Sequence, residues 1–373
     1  MAADRNDTIV VVRPLIPAEP ALMSALSAVF DSQVLTNDGP RVRRLEALLA
    51  AESGIADVAL TGSGTTAIQL ACAALDLTGE VLVPAAAFPA VAQAVLRAGA
   101  TPVAVDIEDR YLTIDPAAAR AALTHRTCGI LAVHTFGCPA DIDALRSVAD
   151  HAGVPLIFDA APCWGVSFRD RPLLSYGDVS TLSLHATKLT HAIEGGAVFG
   201  NTTAVADTIR RLRNFGVGAG GALRTGTNAR MSELHAAVGA VVLGEARAEI
   251  ARRAAVRELY REALADIAWL RMCEFRAEAG PNVAAMPVRL DPAAPVDAER
   301  LCKALLEHNI HARAYFGGRY RVGPVRTAGP TPRADEAARR IVCLPFWGRL
   351  TESEIGRVAE ALRAISRRPA LVG

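Results

Sequence analysis

The stretch "SLHATKLTHAIEGGA", Ser183 to Ala197, follows a short β-branched run and contains one of only two lysines in the 373-residue chain. Because 40 residues are Lys or Arg, the remaining 38 are arginine. A guanidinium stays protonated, whereas the amine of lysine can lose its proton and attack a carbonyl carbon. The other lysine, Lys303, lies in an amphipathic helical pattern. Lys188 is therefore a candidate Schiff-base residue, with a chance leftover lysine as the alternative.

The composition is that of an ordinary globular protein, 51% hydrophobic and 21% charged with a net charge of +1. That balance gives no electrostatic basis for binding nucleic acid. No apolar run approaches the roughly 20 residues that span a bilayer. Seven cysteines are scattered without a C-x-x-C pair, which favours reduced thiols and argues against a zinc site. We expect a cytoplasmic protein without a metal.

Seven short apolar runs alternate with helical patterns in the first part of the chain. This alternation predicts an α/β domain with a mostly parallel seven-stranded sheet flanked by helices. The predicted strands are 57–62, 80–85, 101–107, 129–136, 154–160, 179–185 and 196–201. The predicted helices between them are 64–75, 88–99, 116–123 and 139–153, the last beginning at Pro139.

The pattern changes after about residue 230. A long helical stretch, bent near Gly244, precedes isolated strands at 283–290 and 340–345 and helices at 296–309 and 351–368. Thr351 and Glu354 form a capping-box pattern at the start of the last helix. We therefore expect a large domain over 16–245, a smaller α+β domain over 246–373, and an N-terminal segment over 1–15.

Two further stretches carry candidate chemistry. In "LTGSGTTAIQLACAAL" a strand leads through Ser63, Gly64 and Thr65 into a helix, and such a helix start can bind a phosphate. A plain tight turn with a threonine cap is the alternative. Asp159 ends the buried strand of "VPLIFDAAP", where ligands of open α/β sheets collect. It either pairs with a buried cation or caps the next turn.

Lys188 follows strand 179–185 by three residues, so we expect it at the same sheet edge as Asp159 and the turn at 62–65. A phosphate cradle, a buried acid and a Schiff-base lysine are together what pyridoxal 5′-phosphate requires. The lysine binds the cofactor's aldehyde carbon, the acid keeps the ring nitrogen protonated, and the helix start holds the phosphate. Each signal is weak alone, and their joint placement is stronger.

The chain resembles the DegT/StrS-type sugar aminotransferases, which are pyridoxal-phosphate enzymes of fold type I. The resemblance implies that Lys188 forms the Schiff base, Phe88 stacks on the ring, Ser183 binds the phosphate, and Asn228 reaches the partner subunit's phosphate. It rests on motifs spread over nearly the whole sequence: "LTNDGPRVRRLE", "GSGTTAIQLA", "VLVPAAAFPAVAQAVLRAGATPVAVDI", "HTFGCPADIDAL", "LIFDAAP", "SLHATKLTHAIEGGAVFGN", "LRNFGV", "GTNARMSELHAAVGAVVL" and "CLPFWGRLTESEI".

The same resemblance implies a homodimer with shared active sites. It implies L-glutamate as amino donor and a keto-sugar, usually nucleotide-linked, as acceptor, in deoxyaminosugar or antibiotic-type secondary metabolism. A sister branch has His at the lysine position and removes oxygen from sugars, so Lys188 indicates transamination. Two alternatives remain. One is a pyridoxal-phosphate enzyme on the same scaffold that eliminates, substitutes or decarboxylates, acting on a non-nucleotide or non-sugar substrate, and the other is a cofactor-binding regulator.

Two places depart from the family pattern. Pro162 stands where a Gln, His or Glu side chain usually contacts the ring's 3-oxygen, and the segment 310–325 replaces a proline-and-histidine segment. The second departure leaves the nucleotide-sugar substrate open. Further substrate-binding candidates are His185, Arg230 as a bidentate fork for the donor carboxylate, Arg313 and Tyr315. Arg319 and Arg321 are candidate ligands for phosphates or a donor carboxylate, with solvated side chains as the alternative.

Overall fold

The computed structural model describes residues 8–218, 221–222, 224–281, 283–315 and 325–367. Its helices, in chain order, are α1 Glu19–Ser32, α2 Pro40–Ser53, α3 Gly64–Ala74, α4 Ala90–Arg97, α5 Pro116–Ala121, α6 Ile142–Ala152, α7 Thr203–Leu212, α8 Glu233–Gly244, α9 Ala246–Ala263, α10 Ala298–Glu307, α11 Pro332–Arg340 and α12 Glu352–Arg367.

The described residues also form strands, named here in chain order. They are β1 Val58–Thr61, β2 Glu80–Pro84, β3 Thr101–Val105, β4 Thr127–Val133, β5 Leu156–Asp159, β6 Ser167–Phe168, β7 Arg171–Pro172, β8 Val179–Ser183, β9 Gly196–Gly200, β10 Val217–Gly218, β11 Gly221–Ala222, β12 Leu270–Met272, β13 Met286–Leu290, β14 Arg313–Ala314, β15 Arg326–Thr327 and β16 Ile341–Leu344.

The large sheet has the strand order β1-β9-β8-β5-β4-β2-β3-β15. All pairings are parallel except those of β9, which runs antiparallel to both β1 and β8. The seven predicted strands therefore form, and the sheet is mostly parallel as expected. The prediction of seven strands was one short, because β15 adds an edge strand from the C-terminal half. Two residues are too few to give a periodic signal.

Apolar side chains cover the large sheet on both faces. One core cluster includes Leu60, Leu82, Ile130 and Phe158, and a second includes Val83, Leu131, Ile157 and Val198. Residues that alternate along a strand point to opposite faces, so these near-continuous apolar strands are buried on both sides. Within the described residues, no helix combines the length and apolar character that crossing a bilayer requires.

The predicted helices form, with ends that shift by up to three residues, and two of the differences have a clear cause. The long helical stretch divides at Glu245 into α8 and α9, next to the expected bend at Gly244. Helix α6 begins at Ile142, not at Pro139, because the Asp141 side chain accepts the N–H of Ala144 at 3.1 Å and caps the helix. A side-chain acceptor at the N-cap outweighs the preference for an early proline.

A second sheet lies in the C-terminal part, with the order β12-β13-β16-β14 and antiparallel pairing throughout. The N-terminal segment joins this part, since the N–H of Ile9 donates to Asn309 O at 2.9 Å and Phe346 donates to Val11 O at 2.9 Å. The division at residue 245 stays a prediction. Strand β15 shows that the C-terminal half also contributes to the large sheet.

The buried carboxylate of Glu233 fixes the start of α2. It accepts the N–H of Arg41 at 2.7 Å and that of Val42 at 3.2 Å. Gly39 passes so close that a Cβ there would lie 2.6 Å from the Glu233 carboxylate. Glu233, in the "SELHA" stretch, thus caps the N-terminus of the helix that begins in "NDGPRV".

Candidate active site

Asp159 ends β5 at the carboxyl edge of the large sheet, and β8 beside it leads into the loop that carries Lys188. The Asp159 carboxylate is buried, and its Oδ1 accepts the N–H of Ala161 at 3.0 Å. Burial raises the pKa of Asp159 to about 6, while the Ala161 N–H and the charge of Lys188 act in the opposite direction. The sheet edge therefore holds an acid whose ionisation depends on a nearby cation.

Burial lowers the pKa of Lys188, and the charge of Asp159 only partly opposes this effect. Its backbone N–H donates to His185 O at 2.8 Å in a tight turn, which holds the residue at the sheet edge. A lowered pKa increases the fraction of neutral amine, the form that attacks a carbonyl carbon. The position and the ionisation of Lys188 both suit a Schiff-base residue.

A helix start lies at the same edge. The N-cap Ser63 accepts the N–H of Thr66 at 3.1 Å, and the Thr66 hydroxyl accepts the Ser63 N–H at 3.1 Å. Within the described chain, the N–H groups of Gly64 and Thr65 have no protein partner. Two free amides at a helix N-terminus form an anion site. The Ser63 side chain, predicted as a cofactor ligand, is already engaged in the cap.

Ser183, the last residue of β8, lies against this helix start. A Cβ at Gly64 would be 2.9 Å from the Ser183 Cβ and 3.1 Å from its Oγ. The Ser183 hydroxyl accepts the N–H of His185 at 3.3 Å, which leaves its proton free for another acceptor. Ser183 therefore lies next to Gly64 at the start of α3, as the predicted phosphate site requires.

Gly195 and Gly196 return the chain from the lysine loop into β9. A Cβ at Gly196 would lie 2.4 Å from the Ser63 carbonyl oxygen and 2.8 Å from the Gly64 nitrogen. Glu194 lies 3.7 Å from the Nε2 of His185 and is exposed. The glycines thus let β9 pass directly beneath the anion site.

These groups fit pyridoxal phosphate by their chemistry. Two free amides and a hydroxyl suit its phosphate, a buried carboxylate suits its cationic ring nitrogen, and a lysine with a lowered pKa suits its aldehyde. The hydroxyl of Thr181, beside Asp159 in the sheet, is also buried and without a hydrogen-bond partner in the described structure. An unsatisfied buried hydroxyl at this position is available as a partner for a bound group or for its contacts.

Two other predicted cofactor contacts lie on the surface of the described chain. Phe88 is 59% exposed just before α4, so its ring is accessible to a stacking partner. Asn228 is exposed in a segment that pairs with Asn214, and the neighbouring Ala229 O accepts the N–H of Gly62 at 2.7 Å. The structure keeps both beside the sheet edge, and their roles stay predictions.

The predicted substrate residues divide into two groups. His185 hydrogen-bonds Thr187 through Nδ1 at 2.8 Å. Arg230 donates through Nη1 to the Asn214 side chain and lies 5.2 Å above the Phe215 ring, while its buried Nε has no hydrogen-bond partner among the described residues. The assignment of Arg230 to a donor carboxylate stays a prediction.

Arg313 and Tyr315 form one cluster with Phe136. The Arg313 guanidinium lies 5.8 Å from the Tyr315 ring, and Phe136 meets that ring edge-on at 5.5 Å. Arg319 and Arg321, with most of the segment 310–325, lie outside the described residues. The described part of the segment thus offers an aromatic surface next to one cation.

The sequence analysis missed two buried side chains of this site, Thr181 and Cys163. The Cys163 thiol is electrostatically coupled to both Asp159 and Lys188, and burial raises its pKa well above the usual value. A signal for Thr181 was available, since it precedes Ser183 by two residues and so shares its face of β8. Cys163 follows Pro162 in the sequence, and no sequence pattern identified it as a residue of the site.

The family model for the DegT/DnrJ/EryC1/StrS aminotransferases matches residues 18–363. The dTDP-4-amino-4,6-dideoxy-D-glucose transaminase of Shigella dysenteriae is 31% identical over 365 residues, covering 96% of this chain and 99% of that protein.

Two solved structures are also similar. DesI, crystallised in the presence of its TDP-sugar product, has a TM-score of 0.92 and 35% identity, covering 98% of this chain and 94% of its own. DesV of S. venezuelae, in complex with a ketimine intermediate, has a TM-score of 0.85 and 30% identity, with coverages of 94% and 95%.

Proposed function

Because the chain belongs to the DegT/DnrJ/EryC1/StrS aminotransferase family, we propose that it transfers an amino group from L-glutamate to a nucleotide-linked keto-sugar. It is an aminotransferase, and pyridoxal phosphate is its cofactor. The observation that carries the proposal is the meeting of Lys188, Asp159 and the free amides of Gly64 and Thr65 at one sheet edge.

Pyridoxal phosphate supplies an electron sink for the charge that develops on a substrate carbon when a proton leaves it. Lys188 would hold the aldehyde carbon of the bound cofactor, and its free Nζ would carry a proton away from the substrate carbon. Asp159 would keep the ring nitrogen protonated. Gly64, Thr65 and Ser183 would anchor the phosphate and so keep the reacting atoms within reach of Nζ.

The choice of donor and acceptor is supported by the relatives. Two of them are named for dTDP- or TDP-sugars, and the Shigella protein for a sugar bearing nitrogen at carbon 4. An acceptor with a ketone at that carbon gives this product by transamination. We place the reaction in deoxyaminosugar metabolism of the kind that serves antibiotic biosynthesis.

The first test uses the lysine content of the chain. Borohydride reduction fixes a Schiff-bonded cofactor covalently, and peptide mapping then has only Lys188 and Lys303 to distinguish among side-chain amines. We expect the label on Lys188 alone. Lys188→Ala should lose the label and the activity, with Lys303→Ala as the matched control. Full transamination by Lys188→Ala would refute the proposal.

The second test separates transamination from the other pyridoxal-phosphate reactions. Purified holoenzyme is mixed with L-glutamate alone, and 2-oxoglutarate is measured. A transaminase releases one equivalent per active site and stops until a keto-sugar nucleotide is added. Continuous consumption of the amino acid without release of 2-oxoglutarate would favour an enzyme that eliminates, substitutes or decarboxylates. No reaction with any amino donor would favour the regulator.

We also propose a homodimer in which Asn228 contacts the partner subunit's cofactor phosphate. Large apolar side chains exposed on this chain support an interface: Ile16, Met23, Phe30, Leu35, Phe215 and Val217. Mixing Lys188→Ala with Asn228→Ala subunits tests it, because each mixed dimer regains one complete site. Recovery of activity upon mixing is the expected result, and its absence counts against the shared site.

We place the enzyme in the cytoplasm. All seven cysteines are free thiols in the structure, and five of them are buried. Reduced thiols in that number are typical of a reducing compartment. Fractionation of the producing cells tests this location. Recovery of the protein in an oxidised or secreted form would contradict it.

A further inference from the structure

Asp159 and Thr181 lie side by side in the large sheet. They are in register on the parallel strands β5 and β8, whose backbones lie about 4.8 Å apart. In-register residues of neighbouring strands point to the same face of a sheet. The other members of this transverse row are apolar, namely Val133, Val198 and Ala59. The row therefore contains two polar side chains, and they are neighbours.

Among the described residues the Thr181 hydroxyl has no hydrogen-bond partner, although the residue is only 1% exposed. Leaving a buried hydroxyl unpaired is unfavourable. Valine has the same branched shape and would match Val198, its neighbour on β9. Packing alone would thus favour valine at this position, so the hydroxyl requires another explanation.

Asp159 has capacity for a further donor. Its Oδ1 accepts the Ala161 N–H, and no other hydrogen bond to the carboxylate is present in the described structure. An ionised carboxylate offers about four acceptor sites. The titratable groups that face it are Lys188 and the neutral thiol of Cys163. A ring nitrogen would occupy one further site and leave room for a hydroxyl.

We propose that Thr181 is a positioning residue for Asp159: with the cofactor bound, its hydroxyl donates to the Asp159 carboxylate and keeps it aimed at the ring nitrogen. This inference rests on the proposed function. It gives β8 two roles, since Ser183 lies two residues further along the same face at the phosphate end. A single strand thereby aligns both ends of the cofactor.

The ionisation of Asp159 makes such a donor useful. Burial raises the pKa of this carboxyl to about 6, which brings its protonated form closer to neutral pH. A hydrogen bond to the charged form lowers a carboxyl pKa. The donated proton of Thr181 therefore favours the carboxylate, and the carboxylate in turn favours the protonated ring.

The test measures ring protonation directly. Holoenzyme is prepared with cofactor labelled with nitrogen-15 in its ring, and the nitrogen-15 NMR shift is followed against pH. We expect Thr181→Val and Thr181→Ala to lower the midpoint of ring deprotonation by about one pH unit, a tenfold change. Thr181→Ser keeps the hydroxyl and should restore the wild-type midpoint. Cofactor affinity, measured by dialysis, should fall severalfold in the first two variants alone.

Two further variants separate this inference from the proposed function. Thr113 is a matched control, since it is also a buried threonine. Its hydroxyl donates to the Glu108 carboxylate at 2.7 Å and not to Asp159. Thr113→Val should leave the midpoint unchanged. Asp159→Asn should abolish the pH-dependent protonation. A wild-type midpoint in both Thr181→Val and Thr181→Ala, with Asp159→Asn affected, overturns the role of Thr181 alone. A wild-type midpoint in Asp159→Asn overturns the role of Asp159, whereas failure of L-glutamate to release 2-oxoglutarate from wild-type holoenzyme overturns the proposed function.

Discussion

Gly196→Ala is the sharpest test of how the anion site is built. The added Cβ would lie 2.4 Å from the Ser63 carbonyl oxygen and 2.8 Å from the Gly64 nitrogen. An ordinary contact is at least 3.4 Å, so the two segments must separate by about 1 Å. Three donors hold the Ser63 carbonyl, the N–H of Ala67 and the hydroxyls of Thr61 and Thr66. The oxygen cannot easily move away.

The consequence for binding can be estimated from hydrogen-bond geometry. A displacement of about 1 Å takes an amide donor out of the 2.7–3.2 Å range in which it bonds an oxygen. Loss of one hydrogen bond to a charged group costs about 1.5–3 kcal/mol. We therefore expect Gly196→Ala to bind pyridoxal phosphate about 10- to 100-fold more weakly, with about 1–3 kcal/mol of overpacking cost to the fold.

The assay is a titration of apoenzyme with pyridoxal phosphate, followed by cofactor absorbance, with thermal unfolding of the apoenzyme alongside. Gly356→Ala is the matched control, because a Cβ at Gly356 in α12 meets no atom within 4 Å. That change should leave affinity unaltered and stabilise the helix by up to about 1 kcal/mol. Wild-type affinity in a folded Gly196→Ala protein would contradict this account of the site.

Three further outcomes are expected. Lys188→Arg keeps a cation but cannot form a Schiff base or accept the substrate proton, so glutamate-dependent release of 2-oxoglutarate should fall by at least about 100-fold while circular dichroism stays unchanged. Glu233→Ala leaves the first amides of α2 without their buried acceptor and should cost about 2 kcal/mol of unfolding free energy by denaturant titration, with a smaller loss for Glu233→Gln. Burial lowers the pKa of His134 to about 3, so the folded state excludes a proton that the unfolded chain binds below about pH 6.5. Stability should therefore fall as the pH drops from about 6.5 towards 3, by up to about 1.4 kcal/mol per pH unit from this group, and His134→Asn should flatten that slope.

Most of the large sheet was predictable because its signals are local. Buried parallel strands are continuous apolar runs, and the helices between them show their caps and periodicity in the sequence. Strand β15 was missed since two residues have no period. The start of α6 was misplaced because the side chain of Asp141, and not the ring of Pro139, makes the capping hydrogen bond.

The candidate site was predictable in part for a different reason. Lys188, Asp159 and the turn at 63–65 each follow a strand, and parallel strands bring their carboxyl ends to one edge. The local pattern could not tell which side chains already have hydrogen-bond partners within the protein. In the structure the Ser63 hydroxyl accepts the N–H of Thr66, and one nitrogen of Arg230 donates to Asn214.

The sequence by itself determined the succession of strands and helices along the chain, and it identified Lys188 as the candidate Schiff-base residue. Only the tertiary structure decided that Thr181 lies beside Asp159, and that Gly196 passes under the amide of Gly64. Those neighbours are separated along the chain and meet through strand register and close backbone packing. Register depends on the pairing of whole strands, so no short stretch of sequence specifies it.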